Sequence, residues 1–246
     1  MSAAPVEILF GGAYLGKFPP LNTPEYLEEM YSALSKHGVA AIDSSQLYGE
    51  REAMLGTTKA GERFAIDTKW MESIKKLGVS HVDVFYIHWP DTQTLISETL
   101  AGVQEMMPRR STITERSKAI SFRQFTRATT LPLHAGETLL PSLRNLSIVF
   151  RTYSPLAGGF LTKTRQQIAD GAGRFNDDVY IGVYNHMFVK SACLDALDKW
   201  RTVAESEGCS IADLAYRWVS CHSLLDKELG DRPLVGADSL RRLEET

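Results

Sequence analysis

The stretch VDVFYIH at 82–88 decides the fold class of this chain of 246 residues. It is apolar nearly throughout, which is typical of a parallel strand covered by other elements on both faces. Outward from it, short apolar runs alternate with helical patterns, and this alternation indicates βα units around a parallel sheet. Further strands are predicted at 6–10, 39–43, 63–68, 118–125, 147–153 and 233–236. The stretch 166–185 has few periodic apolar positions and is predicted to be a long loop.

Composition excludes several classes of protein. With 43% hydrophobic and 23% charged residues, the chain can bury a large core and is not disordered. A net charge of −3 argues against a dedicated nucleic-acid binder. The absence of a long apolar run and of a signal-peptide pattern predicts a protein without membrane spans, located in the cytoplasm. No linker or repeat divides the sequence, so we expect a single domain over 1–246.

Polar side chains follow three successive predicted strands. Asp43 ends one strand and Tyr48 follows in its loop, Lys69 ends the next strand, and His88 ends the third. Taken singly, the aspartate is compatible with a turn cap, the lysine with a solvated charge and the histidine with a structural residue. Together they suit protonation of a carbonyl oxygen, since an ammonium beside a tyrosine lowers the pKa of its hydroxyl and a histidine can donate to the carbonyl.

Five stretches of the chain carry a resemblance to a known family. They are AIDSSQLYGE at 41–50 with its continuation to Gly56, AIDTK at 65–69, VDVFYIHWPD at 82–91, YSPLAGGFLT at 153–162 and, more weakly, LVGADSLRRLE at 234–244. The sequence resembles the aldo-keto reductases, in particular fungal aldehyde and aryl-alcohol reductases, including those of polyketide and meroterpenoid pathways. The resemblance implies a TIM-type (β/α)8 barrel that reduces an aldehyde or ketone with NADPH, or runs the reverse oxidation, in fungal secondary metabolism.

The resemblance also implies roles for individual residues. Tyr48 would be the general acid, Asp43 and Lys69 its tuning partners, and His88 the donor that orients the carbonyl. The cofactor would contact residues of three segments, namely Gln124, then Tyr153, Ser154, Leu156 and Gly158, and then Gly236, Ser239 and Arg242. Tyr14 and Trp89 follow predicted strand ends and are candidates for the wall of a hydrophobic substrate pocket.

The sequence departs from the family in several places. Arg123 and Gln124 stand where the family has Ser-Asn, and the strand that should follow them is missing. The chain also stops at Thr246, where the family continues with a helix. We therefore expect a shortened barrel that lacks one strand and the C-terminal helix. A lost strand exposes an edge and an apolar patch, which predicts a homo-oligomer.

Two questions stay open at this level. Arg242 favours the 2′-phosphate of NADPH whereas Asp238 repels it, so NADH is not excluded as cofactor. The shortened cofactor walls also leave an alternative, a cofactor-binding pseudoenzyme or scaffold subunit with an eroded active site. The expected partner is a small-molecule carbonyl substrate, without nucleic acid or membrane. No metal-ligand spacing occurs in the sequence, so no metal site is predicted.

Overall fold

The described residues, taken from a computed structural model, form a ring of seven parallel strands. The structure describes residues 6–17, 19–45, 48–68, 73–80, 84–87, 98, 118–123, 140–145, 147–180 and 182–245. The strands are β1 to β7, and they span Leu9–Gly11, Ala41–Asp43, Ala65–Thr68, Val84–Ile87, Lys118–Arg123, Val149–Tyr153 and Arg232–Val235. Each of them overlaps an apolar run that the sequence predicts as a strand.

The ring closes in sequence order. Each strand pairs in parallel with the next, and β1 pairs with β7 through Leu9 opposite Leu234. β5 pairs directly with β6, from Ala119 opposite Val149 to Arg123 opposite Tyr153, so no strand lies between them. The prediction of a shortened TIM-type barrel is therefore confirmed. The expectation of an open edge is wrong for the described strands, because both ends of the series are paired with each other.

Ten α-helices lie among the described residues. In chain order, α1 to α10 span Pro24–Lys36, Arg51–Thr57, Ser73–Leu77, Leu140–Asn145, Arg165–Ala169, Asp177–Tyr180, Val183–Phe188, Ser191–Ser206, Ile211–His222 and Leu240–Glu244. The sequence sets the start of α1, where Pro24 takes the first position and the Thr23 side chain accepts from the amide of Tyr26. One face of α1 is buried against the first three strands through Leu27, Met30, Tyr31 and Leu34.

The long loop predicted at 166–185 is wrong, because this stretch contains α5, α6 and part of α7. A capping box fixes the start of α5, where the side chains of Thr164 and Gln167 each accept from the other residue's backbone amide. The described burial in α5 is confined to Ile168 and in α7 to Tyr184 and Phe188, and such sparse burial hides the helical period. These side chains pack in one hydrophobic cluster with Phe160, whose ring lies 5.1 Å from that of Phe188.

A buried ion pair crosses the interior of the barrel. Nε of Arg151 in β6 lies 3.6 Å from Oδ2 of Asp67 in β3, and the two side chains are only 5% and 2% exposed. Because β4 and β5 separate these strands in the ring, the pair connects opposite walls of the barrel. Arg151 also donates to the carbonyl of Gly230. A buried carboxylate of this kind requires a charged partner.

Removal of this cation should destabilise the barrel strongly. Arg151→Met breaks the buried ion pair with Asp67, so we expect a loss of about 3–5 kcal/mol in the free energy of unfolding, measured by urea denaturation. Arg63→Met is the control, because Arg63 pairs with Glu28 at 2.6 Å but on the surface, and about 0–1 kcal/mol is expected there. A double variant that also carries Asp67→Leu should regain most of the loss. Equal losses in the two single variants would contradict this account.

Candidate active site

Tyr48 lies at the carboxyl end of β2. The strand ends at the buried Asp43, and the chain turns so that the amide of Tyr48 donates to the carbonyl of Ser45 at 2.9 Å. Gly49 follows with a φ of 72°, a left-handed conformation that favours glycine. This turn starts α2 at Arg51, so the tyrosine is held between a strand end and a helix start.

The surroundings of Tyr48 keep its hydroxyl protonated. Burial raises the pKa of Tyr48 well above its ordinary value, and the nearby Asp43 and Tyr153 act in the same direction. The Arg51 guanidinium acts in the opposite direction. Among the described groups, burial outweighs Arg51. Tyr48 therefore carries its proton throughout the neutral pH range. The lowering that the sequence predicts from Lys69 stays a prediction, because Lys69 lies outside the described residues.

The other predicted members of the catalytic group are placed only in part. Tyr153 ends β6, and the parallel ring places the carboxyl ends of β2 and β6 at one mouth of the barrel. Tyr153 also acts electrostatically to raise the pKa of Tyr48. Lys69 and His88 lie outside the described residues. They follow the last described residues of β3 and β4, Thr68 and Ile87, directly in the chain.

The loop after β6 has an unusual backbone. Ser154 has a φ of 60°, and Gly158 and Gly159 form a kink with φ values of 70° and 97°. A Cβ on Gly158 would lie 2.1 Å from the ring of Tyr184, so that position requires glycine. Gln124, which was predicted to contact the same cofactor, lies outside the described residues.

Three cations converge beside this loop. Lys163 donates to the carbonyl of Gly159 at 3.4 Å, and its pKa is lowered by burial and then by the charges of Arg242 and Arg174. None of the carboxylates that the structure describes forms an ion pair with Lys163. Convergent positive charge of this kind favours an anion.

Arg174 links the cations to the first strand. It donates to the hydroxyl of Tyr184 at 2.8 Å and to the hydroxyl of Tyr14, which follows β1. Tyr14 also lies near Arg51, whose pKa it and Tyr48 act to raise against the lowering by burial. The predicted substrate residue Tyr14 is therefore at the same mouth as Tyr48, whereas Trp89 lies outside the described residues.

The segment after β7 completes the mouth. Gly236 directly follows β7, and its backbone approaches Gly11, at the end of β1. Ser239 caps α10 by accepting from the amide of Arg242. Nη1 of Arg242 lies 2.7 Å from Oδ2 of Asp238. The two residues that seemed opposed in the sequence therefore pair with each other, which weakens the charge that Arg242 offers.

Sequence reasoning missed Lys163 and Arg174. Lys163 directly follows the stretch 153–162 that carries the resemblance, and this position was the available signal. Arg174 falls within the stretch predicted to be a loop, where no periodicity marked it.

Among the described residues, no cluster of His, Cys, Asp and Glu could hold a metal ion. No helix in the described parts of the chain is long and apolar enough to cross a membrane.

The arrangement joins a proton donor to an anion site. Tyr48 can give a proton to an oxygen at the mouth, and the cations can hold phosphate groups beside it. The desolvated ammonium of Lys163 and the kinked glycine loop fit the pyrophosphate of a dinucleotide. The residues present are therefore compatible with a nicotinamide cofactor.

Comparison with known proteins agrees with this geometry. The chain is 30% identical to the oxidoreductase sirO of Leptosphaeria maculans, over 99% of this chain and 88% of that protein. It is 27% identical to aflatoxin B1 aldehyde reductase member 2 of Rattus norvegicus, over 100% of this chain and 83% of that protein. The structure of the glycerol dehydrogenase AKR11B4 from Gluconobacter oxydans has the same fold, with a TM-score of 0.67 at 20% identity, covering 96% of this chain and 84% of that one.

The pattern of one family covers most of the sequence. The Aldo/keto reductase family matches residues 7–108 and 126–246. The gap between these two ranges contains β5, whose end departs from the family at Arg123. The resemblance in the motifs, the parallel ring and the family match agree, and the chain belongs to the aldo/keto reductase family of oxidoreductases.

Proposed function

We propose that this protein reduces an aldehyde or ketone to an alcohol with NADPH, or catalyses the reverse oxidation. Family membership supports an oxidoreductase that acts on small carbonyl compounds. One observation supports the finer proposal. Tyr48 is held protonated at the same mouth of the barrel as the cations Lys163, Arg174 and Arg242. A proton donor beside a phosphate-binding surface is what cofactor-dependent carbonyl reduction requires.

The residues have separate roles in this proposal. Tyr48 Oη gives its proton to the carbonyl oxygen, and the phenolate that remains takes a proton from solvent. Asp43 and Lys69 set the charge around Tyr48, and His88 donates to the carbonyl oxygen to orient it. Bound NADPH supplies the hydride that the carbonyl carbon receives. Tyr14 and Trp89 are the residues that we propose to contact the substrate.

The cofactor would lie along the ends of β5, β6 and β7. Tyr153 would stack on the nicotinamide, and Gln124 would bond its amide. Ser154, Leu156, Gly158 and Lys163 would follow the pyrophosphate, and Arg174 would add charge beside them. Gly236, Ser239 and Arg242 would hold the adenosine end. Arg242 favours NADPH over NADH, and its pairing with Asp238 reduces this preference without removing it.

The proposal also includes the metabolic role, the cellular location and the oligomeric state of the protein. The motifs and the fungal relative favour a place in fungal secondary metabolism, with a meroterpenoid as one class of substrate. We infer a cytoplasmic enzyme. The closed ring removes the open edge as an argument for a homo-oligomer, and the exposed side chains of Trp218 and Leu224 remain as its support.

Loss of the Tyr48 hydroxyl should stop turnover. In Tyr48→Phe we expect carbonyl reduction to fall at least about 100-fold, because general acid catalysis is lost, while NADPH binding followed by tryptophan fluorescence stays unchanged. Tyr31→Phe is the matched control. Tyr31 is also buried with a raised pKa, but its hydroxyl bonds Thr58 beside α2. Unchanged turnover in Tyr48→Phe would contradict the proposal and favour a cofactor-binding scaffold.

Two variants should distinguish the residue that binds the pyrophosphate of the cofactor from the residue that binds the 2′-phosphate. Lys163→Met should weaken NADPH and NADH alike, each on the order of tenfold, since one charge-assisted hydrogen bond to the pyrophosphate is lost. Arg242→Met should weaken the binding of NADPH but not that of NADH, because NADH lacks the 2′-phosphate. Arg165→Met is the control, because Arg165 lies two residues from Lys163 and is paired on the surface with Asp195 and Asp198. Titration calorimetry that shows no loss in Lys163→Met would contradict the placement.

A further inference from the structure

Arg51 is a charged residue at the mouth that the sequence did not single out. It begins α2, three residues after Tyr48, and its Nη1 donates to the backbone carbonyl of Tyr48. Its guanidinium carbon lies 5.7 Å from the centroid of the Tyr48 ring. The hydrogen bond and the stacking together fix the guanidinium over the tyrosine.

The charge of Arg51 has no carboxylate to neutralise it within the described part of the chain. Its Nε is buried and meets no hydrogen-bond acceptor among the described residues. Burial lowers the pKa of Arg51, while the hydroxyls of Tyr48 and Tyr14 act to raise it. Removing a cation from water without a partner is unfavourable, so the position is stabilised by any negative charge that forms beside it.

A second arginine shows the contrast within the same molecule. The guanidinium carbon of Arg63 lies 5.6 Å from the ring centroid of Tyr31, a stacking distance that nearly equals that of Arg51. Arg63, however, pairs with the carboxylate of Glu28 at 2.6 Å. The carboxylate of Glu28 therefore largely neutralises the positive charge of Arg63. The positive charge of Arg51 acts on Tyr48 without such a described counter-ion.

We propose that Arg51 is a positioning residue for the reaction, which holds Tyr48 at the mouth and stabilises the phenolate formed when Tyr48 gives up its proton. This inference rests on the proposed function. In the step concerned, the Oη–H bond of Tyr48 breaks and an O–H bond forms on the substrate oxygen as the carbonyl carbon receives hydride. The electron pair of the broken bond stays on Tyr48 Oη. Arg51 faces that negative charge until solvent returns a proton.

The other described groups around Tyr48 oppose the phenolate. Asp43 from β2 and Tyr153 from β6 both disfavour the phenolate, and burial disfavours it further. Arg51 is the cation among the described residues that favours it. The guanidinium carbon lies 5.7 Å from the centroid of the ring over which the phenolate charge is spread. At about 6 Å in a partly buried site, a unit charge changes an ionisation equilibrium on the order of tenfold.

The first test needs no turnover. Tyr48 is replaced by 3,5-difluorotyrosine, whose phenol is far more acidic, and its ionisation is followed by fluorine NMR in otherwise unchanged protein and in Arg51→Met, Arg51→Lys and Arg63→Met. We expect Arg51→Met to move the midpoint to higher pH by about one pH unit, a tenfold change in the dissociation constant. Arg51→Lys should move it less, and Arg63→Met should leave it unchanged. An unmoved midpoint in Arg51→Met would overturn the inference.

The second test measures the reaction in protein with the natural tyrosine. For alcohol oxidation, where Tyr48 must first lose its proton, Arg51→Met should lower kcat about tenfold near neutral pH and move the pH profile to higher pH. NADPH affinity should stay within about twofold, and Arg51→Lys should recover most of kcat. A loss of cofactor affinity in step with kcat, with an unmoved pH profile, would show a merely structural role. An unmodified protein that binds NADPH but reduces no carbonyl compound would refute the proposed function, while the fluorine titration would still judge the effect of Arg51 on Tyr48.

Discussion

The parallel pairing of β1 with β7 is the constraint on which the rest of the structure depends. It closes a ring of seven strands, with β5 paired directly to β6. Since every strand runs in the same direction, all carboxyl ends meet at one mouth, where functional groups of such barrels collect. Tyr14, Tyr48, Tyr153 and Arg242 come from four distant parts of the sequence and share that mouth only because the ring is closed. The direct pairing of β5 with β6 keeps this shortened ring of described strands closed.

Charge inside and above this ring divides into two systems. In the interior, Arg151 compensates the buried Asp67, and this pair connects β3 to β6 below the mouth. At the mouth, the cations have few carboxylate partners, and the tyrosine beside Asp43 is kept neutral by burial. The interior ion pair stabilises the barrel. The cations at the mouth exceed their described carboxylate partners, which suits an anionic cofactor and a transient phenolate. The same low-polarity surroundings that keep Tyr48 protonated make its deprotonation depend on nearby cations.

Apolar runs predicted the seven strands because a strand covered on both faces leaves a continuous signal in the sequence. The strand-end position of Asp43 and the turn to Tyr48 followed from the same pattern. Other features depend on contacts distant in sequence. Arg174 meets Tyr14 across 160 residues, and Asp67 meets Arg151 across the ring. The helices in 166–185 were missed because their few apolar side chains pack on Phe160, outside the stretch itself. The pairing of β1 with β7, which closes the ring, was also not predictable, because nothing in the sequence of either strand indicates its partner.

In this structure one mouth of the barrel joins Tyr48, which follows β2, to the cations that follow β6 and β7. We would measure amide hydrogen exchange with and without NADPH. We predict slower exchange in the presence of NADPH for four segments that are distant in sequence, namely 43–51, 153–163, 170–176 and 236–242. Helix α1, which packs on the outside of the ring, should exchange at the same rate in both conditions. Slower exchange confined to the segments after β6, with 43–51 unaffected, or no change in any segment, would contradict a shared cofactor and catalytic mouth.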